Sequence, residues 1–581
     1  MADGPVEQAA ALVDRYLDLL REHEPVTWTR LGGHGRDDAL PEVGADADAA
    51  RSRDLARFDR QVRSARDAIA TDAVGDHREA RDDLTLLADE LEYRRFLIDR
   101  RPRYRTDPLA AIEAISTGVH ELLRRWDLPV DEQVRRVHAA TDRVRAVPAF
   151  LEQAGARLES APEPHLEVAL ARIPGLRELL RDTLPARAAG LGVDPTPARD
   201  AGAAAAEALD AAGALLDELR GEVASPWRLG PEDHEVTLRA ALGTSMSAGE
   251  IADRASSWLV TVRQELAELA ASSWPRRFPG EPVPDTEDER IRRVLGHVAR
   301  TALPRDQLVP EARRAVAEAR AFALDLGLCD VPPAERLTVT EVPPYLAGVA
   351  VAFITQAPPL DPSGGCVYYL SPVPASWDED RAASFLREYT PAQLRSLALH
   401  EGYPGHFVQL EHASRHPRLA RRLLTRPAFA EGWAVHVERE AVAAGFGAGR
   451  TSTVDADDYR LTQRKLELRI ATNAMLDVGL HTGDLDDDAA TGLLTSMAFQ
   501  EQAEATSKLT RAKVTSGQLC SYFVGGAEVG DLQDATRAAE GAGYDARRFH
   551  QRVLSHGTPT IDVLRRALAD DTGERRPFGP A

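Results

Sequence analysis

The sequence predicts a mainly α-helical, two-lobed protein with one small β-sheet next to the helix that carries its candidate site. Three observations predict it. Apolar residues recur at helical spacing along most of the 581 residues. Prolines such as Pro129, Pro162, Pro164, Pro185, Pro195 and Pro197 fall at the joints between those segments. Only between 336 and 374 does the period shorten toward two.

Taken in order, Val6, Ala10, Leu12, Val13, Leu17 and Leu20 define an amphipathic first helix over 6–22 that closes near Pro25. The Gly-, Asp- and Pro-rich stretch from Leu31 to Gly44 reads as loop, with His34 as a structural residue. From Ala49 to Arg100 the pattern is one long charged helical run, its buried stripe marked by Leu84, Leu86, Leu87, Leu91 and Phe96. Residues 108–160, 165–185 and 196–222 continue as helices, the Ala- and Leu-rich run Ala203 to Leu219 with high intrinsic propensity. Ser247-Ala248-Gly249-Glu250 is a capping box that opens a helix through Ile251, Ala255, Leu259, Val262 and Leu266. Trp274 to Asp285 is a proline-rich break, and helix resumes from Glu287 to about Leu328.

Three short strands follow: Leu337–Val342, Val349–Ile354 and Cys366–Leu370, each bounded by Pro or Gly. The last is expected either to offer its edge to an extended substrate or to belong to a structural hairpin. Thr390-Pro391-Ala392-Gln393 then reads as a capped helix start leading through Leu394, Leu397 and Ala398. Further helices are expected over 429–438, Ser452 to Leu480 and Glu501 to Val514, with Asp484 to Asp488 capping a helix. One or two more close the chain before a disordered polar tail from about Thr572.

The capped helix runs into His400-Glu401-Gly402-Tyr403-Pro404-Gly405-His406. A catalytic zinc ion takes three protein ligands, imidazoles and a carboxylate among them, and keeps a fourth position open. Zinc-peptidase histidines normally stand four apart on one helix, with a glutamate beside the first. Here they stand six apart, a rotation of about 600°, which a regular helix cannot bring to one ion. Pro404 and Gly405 can break or bulge the helix, and without them the four-apart pattern returns. We expect the pair to be looped out and both imidazoles to converge. Downstream, Glu431 and Glu438 lie two turns apart on a helix with apolar Phe429, Trp433 and Val437. Buried carboxylates need partners, as a metal ligand and its hydrogen-bonded neighbour would have. Either could be that ligand, or both could pair with Arg439 or Arg469 or face solvent. Asp477 and His481 are four apart, a spacing that allows a carboxylate to orient an imidazole as an oxyanion donor, or a merely local bond.

His400 to Gln409, Phe429 to Ala434 and Ser516 to Gly525 together resemble the bacterial domain-of-unknown-function family 885 (DUF885), zinc-metallopeptidase-like proteins. The opening segment Tyr16 to Asp38 and the block Asp477 to His481 are similar to that family too. The resemblance implies His400, His406 and Glu431 as metal ligands, Glu401 as general base, and Arg511, Gln518 and Tyr522 within the site. Phe407, His436 and Ser516 depart from its pattern.

Together these expectations describe a zinc-dependent hydrolase, most simply a peptidase of short peptides in which Tyr522 or His481 meets the developing oxyanion and Arg511 a substrate carboxylate. Rival expectations are hydrolysis of a non-peptide amide or ester, and a metal-free helical scaffold. Residues 1–330 would form a helical N-terminal lobe and 331–581 the lobe with the sheet and metal-site helices, or the two one continuous domain. The net charge of −21 argues against nucleic-acid or anionic-membrane partners. Three scattered cysteines, Cys329, Cys366 and Cys520, fit a reducing compartment, and the first residues lack a charged and apolar leader, so a cytoplasmic protein is expected.

Overall fold

Helical periodicity becomes helix almost throughout, and one three-stranded sheet interrupts it. The structure is a computed structural model that describes residues 4–220, 226–343, 352–371, 373, 377–447 and 455–570. The first helix, Pro5–His23, buries Ala9, Leu12, Val13, Tyr16 and Leu20. The long charged run divides into Ala45–Asp67 and Gly75–Asp99, which pack on each other. Ser247 caps its helix with both arms of the box in place, and Asp486 caps the helix that begins at Asp487. The expected tail beyond Thr572 lies outside the described residues.

The expected break after Trp274 is present over 278–286 but begins later than expected. Helix Ala248–Arg277 runs through Pro275. Proline removes a single backbone bond, and here it sits in the last turn, where Trp274 is buried and stacks on Phe278 at 4.3 Å. Burial of that aromatic pair outweighs the missing bond and carries the helix two residues further.

Separate hydrophobic cores form along the chain. One lies entirely within residues 43–216. Another joins the first helices to Ala420, Leu424 and Val563. A third joins Ala248–Arg277 and Glu287–Ala299 to the helix Ala456–Thr482. Buried charges reinforce the second junction. Asp83 accepts from Arg418 and Arg421, and Glu90 from Arg426 and Arg94. Such pairs add more to specificity of docking than to stability, since each buried charge must first be stripped of water.

The sheet has the order β1 (Leu337–Glu341), β3 (Cys366–Leu370), β2 (Ala352–Thr355), with β1 parallel and β2 antiparallel to β3. Both edges of Cys366–Leu370 are therefore paired, so this strand cannot add a substrate strand; of the two readings above, the structural one holds, with β2 and β3 as consecutive antiparallel strands. Its side chains account for the position: Cys366, Tyr368, Tyr369 and Leu370 are buried, as a central strand requires. Residues 349–351 of the expected second strand lie outside the described residues.

His436, one of the departures from the family pattern, forms a buried pair with His550: the two Nε2 atoms are 3.0 Å apart, and His550 Nδ1 donates to the Leu328 carbonyl at 3.2 Å. Burial pushes the His550 pKa down to about 4. Its stabilising contribution is thus fully present above the unfolded value of about 6.5 and is lost as pH falls toward 4. At pH 5 the difference amounts to about 2 kcal/mol. We expect the stability gap between wild type and His550→Gln, measured by chemical denaturation, to shrink by about that amount between pH 7.5 and pH 5. An unchanged gap would contradict the assignment.

Candidate metal centre

The helix entering the site starts at Thr390, whose hydroxyl accepts from the Gln393 backbone N–H at 3.2 Å, and runs from Pro391 to Leu397. It then widens into a π-helical turn, Ala398–Gly402, carrying His400 and Glu401. Tyr403-Pro404-Gly405 leaves the helix, with the Tyr403–Pro404 peptide cis, and a new helix begins at His406. The break is enforced by its neighbours. Trp433 donates its indole N–H to the carbonyls of Pro404 and Gly405, at 3.0 and 3.3 Å. A Cβ at Gly405 would stand 2.0 Å from the His400 carbonyl oxygen, so only glycine lets the chain fold back this tightly.

The looped-out reading holds. The rings of His400 and His406 face each other edge to face with centroids 4.6 Å apart. Glu431, on helix Pro427–Ala443, completes the group: its Oε2 lies 3.3 Å from His400 Nε2 and 3.2 Å from His406 Nε2. One donor atom from each residue falls within 4.8 Å of the others. Ligands held about 2.1 Å from a tetrahedral zinc ion sit roughly 3.4 Å apart, so the spacings to Glu431 suit such an ion, as does the donor set of two imidazoles and one carboxylate.

Glu438, two turns on, is not a member of that triad. Its Oε1 takes the other nitrogen of His400, Nδ1, at 2.5 Å. A carboxylate on Nδ1 fixes the ring orientation and leaves Nε2 as the ligating atom. The arginine alternatives fall away: Arg439 pairs with Glu467 through two bonds of 2.7 Å, and Arg469 with Glu504 at 2.6 Å.

The electrostatics are those of three buried carboxylates facing two imidazoles. Burial disfavours a charged His400, yet its hydrogen bonds to Glu431 and Glu438 prevail and hold its pKa well above the usual 6.5. Burial likewise opposes ionisation of Glu431, but His406 and His400 outweigh it and keep the carboxylate ionised. Glu401 is buried, and that burial, with Glu431 and Glu438 adding, raises its pKa against the pull of both imidazoles.

Tyr522 reaches the site from helix Cys520–Glu540, its ring centroid 6.2 Å from that of His400. Close crossing of two helices puts it there: Gly432 and Gly525 touch, and a Cβ on Gly525 would stand 1.8 Å from the Ala428 carbonyl. Gln518 donates to Tyr522 Oη at 3.4 Å and accepts from Arg511 at 2.5 Å, so the three residues form one chain of contacts.

His481 does not join them, and its expected role as an oxyanion donor needs correction. Its Nε2 donates to the carbonyls of Thr515 and Ala512, at 2.8 and 3.0 Å, and its ring stacks on His234. Nor does Asp477 orient it. Asp477 accepts from His234 Nε2 at 2.9 Å and from the backbone N–H groups of Gly517 and Leu519 at 3.0 and 3.2 Å. Both residues clamp the turn that presents Gln518. Spacing alone missed this because the partners of Asp477 are backbone donors some forty residues away and a histidine more than two hundred residues back.

The sequence of residues 25–568 matches the family model described as bacterial protein of unknown function (DUF885), and the chain belongs to that family. Two solved structures share its fold. One, from Shewanella oneidensis, is described as a candidate lipoprotein of unknown function; it is 24% identical with TM-score 0.78, over 98% of this chain and 100% of that one. The other, a candidate lipoprotein from Colwellia psychrerythraea, is 15% identical with TM-score 0.78, over 97% and 99% of the two chains. No curated protein matches the chain.

Two substitutions probe the supports of the site. Glu438→Gln should weaken zinc affinity by roughly 10- to 100-fold in a competition titration while leaving the fold intact. Asp477→Asn, which turns an amide N–H toward one of the backbone donors, should cost about 2–3 kcal/mol in urea denaturation without loss of zinc stoichiometry.

Proposed function

We propose that the protein is a zinc-dependent hydrolase, a metallopeptidase acting on short peptides. The observation that carries this reading is the convergence of His400, His406 and Glu431 on one point, with Glu438 behind His400 and Glu401 buried beside them. A divalent cation suits the spacing and the donor set of this group. When bound, zinc supplies a Lewis acid that polarises the scissile carbonyl and acidifies water.

The chain's own residues divide the remaining work. Glu401 accepts the proton of the attacking water and delivers it to the departing amine. Its raised pKa suits the first of these steps, because a more basic carboxylate takes the proton of water more readily. Tyr522, beside His400, donates its hydroxyl to the oxygen on which negative charge develops. Glu438 keeps the His400 ring from turning as charge shifts across the site.

The test has two parts. Purified protein should bind about one equivalent of zinc, and zinc below about a tenth of an equivalent that cannot be restored by adding metal would favour a scaffold. Glu401→Gln should retain the metal and lose peptide hydrolysis by several orders of magnitude. Full activity in that variant would remove Glu401 from its role, and turnover of esters but not peptides would move the substrate class.

A further inference from the structure

Beside Tyr522 lies a group of charges that this scheme leaves unused. Glu504, Lys508 and Arg511 follow one face of helix Gln502–Val514, and Arg469 meets them from helix Ala456–Thr482. Arg469 engages Glu504 Oε1 at 2.6 Å, and Lys508 Nζ stands 3.5 Å from that same oxygen. Lys465, which also faces Glu504, is bound to Glu388 at 2.7 and 2.9 Å. Among the described residues, Lys465 is thus balanced by Glu388 and Arg469 by Glu504. Lys508 shares Glu504 with Arg469, and Arg511 is paired with no carboxylate among the described residues, so four cations face two carboxylates.

This imbalance is costly and local. Lys508 is 6% exposed, and its Nζ has no hydrogen-bond partner among the described residues. Burial, and the charges of Arg469 and Arg511 against that of Glu504, push its pKa well below that of an ordinary lysine. Bulk charge does not explain it, because the chain as a whole is strongly acidic. Arg511, Gln518 and Tyr522 are half-buried and form a chain of contacts that runs toward His400, with Lys508 one turn before Arg511 on the same helix. A group of negative charge reaching that chain would offset the excess.

We propose that Lys508 and Arg511 bind the C-terminal carboxylate of a peptide substrate, so that the enzyme removes residues from the free C-terminus. The inference rests on the hydrolase reading above and names its substrate class. A terminal carboxylate supplies the missing charge, and its two oxygens serve both cations. An internal stretch of peptide offers neither and leaves the positive excess in place.

Titration calorimetry on the zinc-loaded full chain tests this with four probes: N-acetylalanine, N-acetylalaninamide, the α-amide of N-acetylaspartate, and sodium sulfate. N-acetylalanine should bind at least about tenfold more tightly than the other three, and Lys508→Met should abolish that preference while zinc, measured by elemental analysis, stays bound. Equal binding of the side-chain carboxylate or of sulfate would overturn the assignment to a C-terminus. So would a preference that survives in Lys508→Met. Should that variant not fold, Arg511→Met and the wild-type series decide by the same criteria. Repeating the series on protein stripped with EDTA and dialysed keeps the two readings apart: the preference should persist without metal, whereas its disappearance would place the carboxylate on the ion and sink the pocket. A chain that binds no zinc but keeps the Lys508-dependent preference would instead refute the hydrolase reading alone.

Discussion

The site depends on one packing relation, that of helix Pro427–Ala443 against the interrupted helix before it. Trp433 occupies the middle of that contact, fully buried, and its indole N–H holds the two carbonyls at the break. On either side of Trp433 the same helix carries a carboxylate, Glu431 on one turn and Glu438 on a later one. Residues seven apart rise about 10.5 Å along a helix, so the His400 ring, lying across the gap, is gripped through both nitrogens. Loss of the Pro404-Gly405 excursion would leave His406 on the wrong side of its helix, and neither carboxylate could compensate.

Two glycine contacts make this arrangement possible. Gly405 lets the chain double back onto the His400 carbonyl, and the Gly432–Gly525 crossing allows helix Cys520–Glu540 close enough for Tyr522 to face the same ring. The remaining wall is placed less directly. Asp477 and His481 act on the backbone of the turn at 512–519 and through it on Gln518 and Arg511. Groups that touch the histidines are thus held by helix packing, and groups further out by hydrogen bonds to a turn.

Charge follows the same division. Arg439, Arg426, Arg421 and Arg418 are committed to buried carboxylates that join helices. Around His400 and His406, by contrast, the carboxylates Glu401, Glu431 and Glu438 meet imidazoles, with Arg439 acting on Glu438 while bonded to Glu467, and at Lys508 the excess is positive. A buried excess of either sign is costly, and it is relieved by a proton gained or lost or by a counter-charge.

By itself the sequence determined the helical class, the place of many of its helices, the three strands and the two histidines of the triad. Apolar period, caps and prolines are local signals, and the histidine and glutamate motifs are short enough to read directly. It also determined the break at Pro404-Gly405, because neither residue tolerates the regular alternative. Only the tertiary structure decided which of Glu431 and Glu438 joins the histidines, since both lie on one helix face and differ only in which nitrogen of His400 they reach. It decided likewise that Cys366–Leu370 is a central strand, that Pro275 does not end its helix, that Asp477 and His481 serve a turn, and that Lys508 must share Glu504 with Arg469. Each of those outcomes turns on a contact between residues distant in the chain, where the energy belongs to the pair and neither member carries a local sign of it.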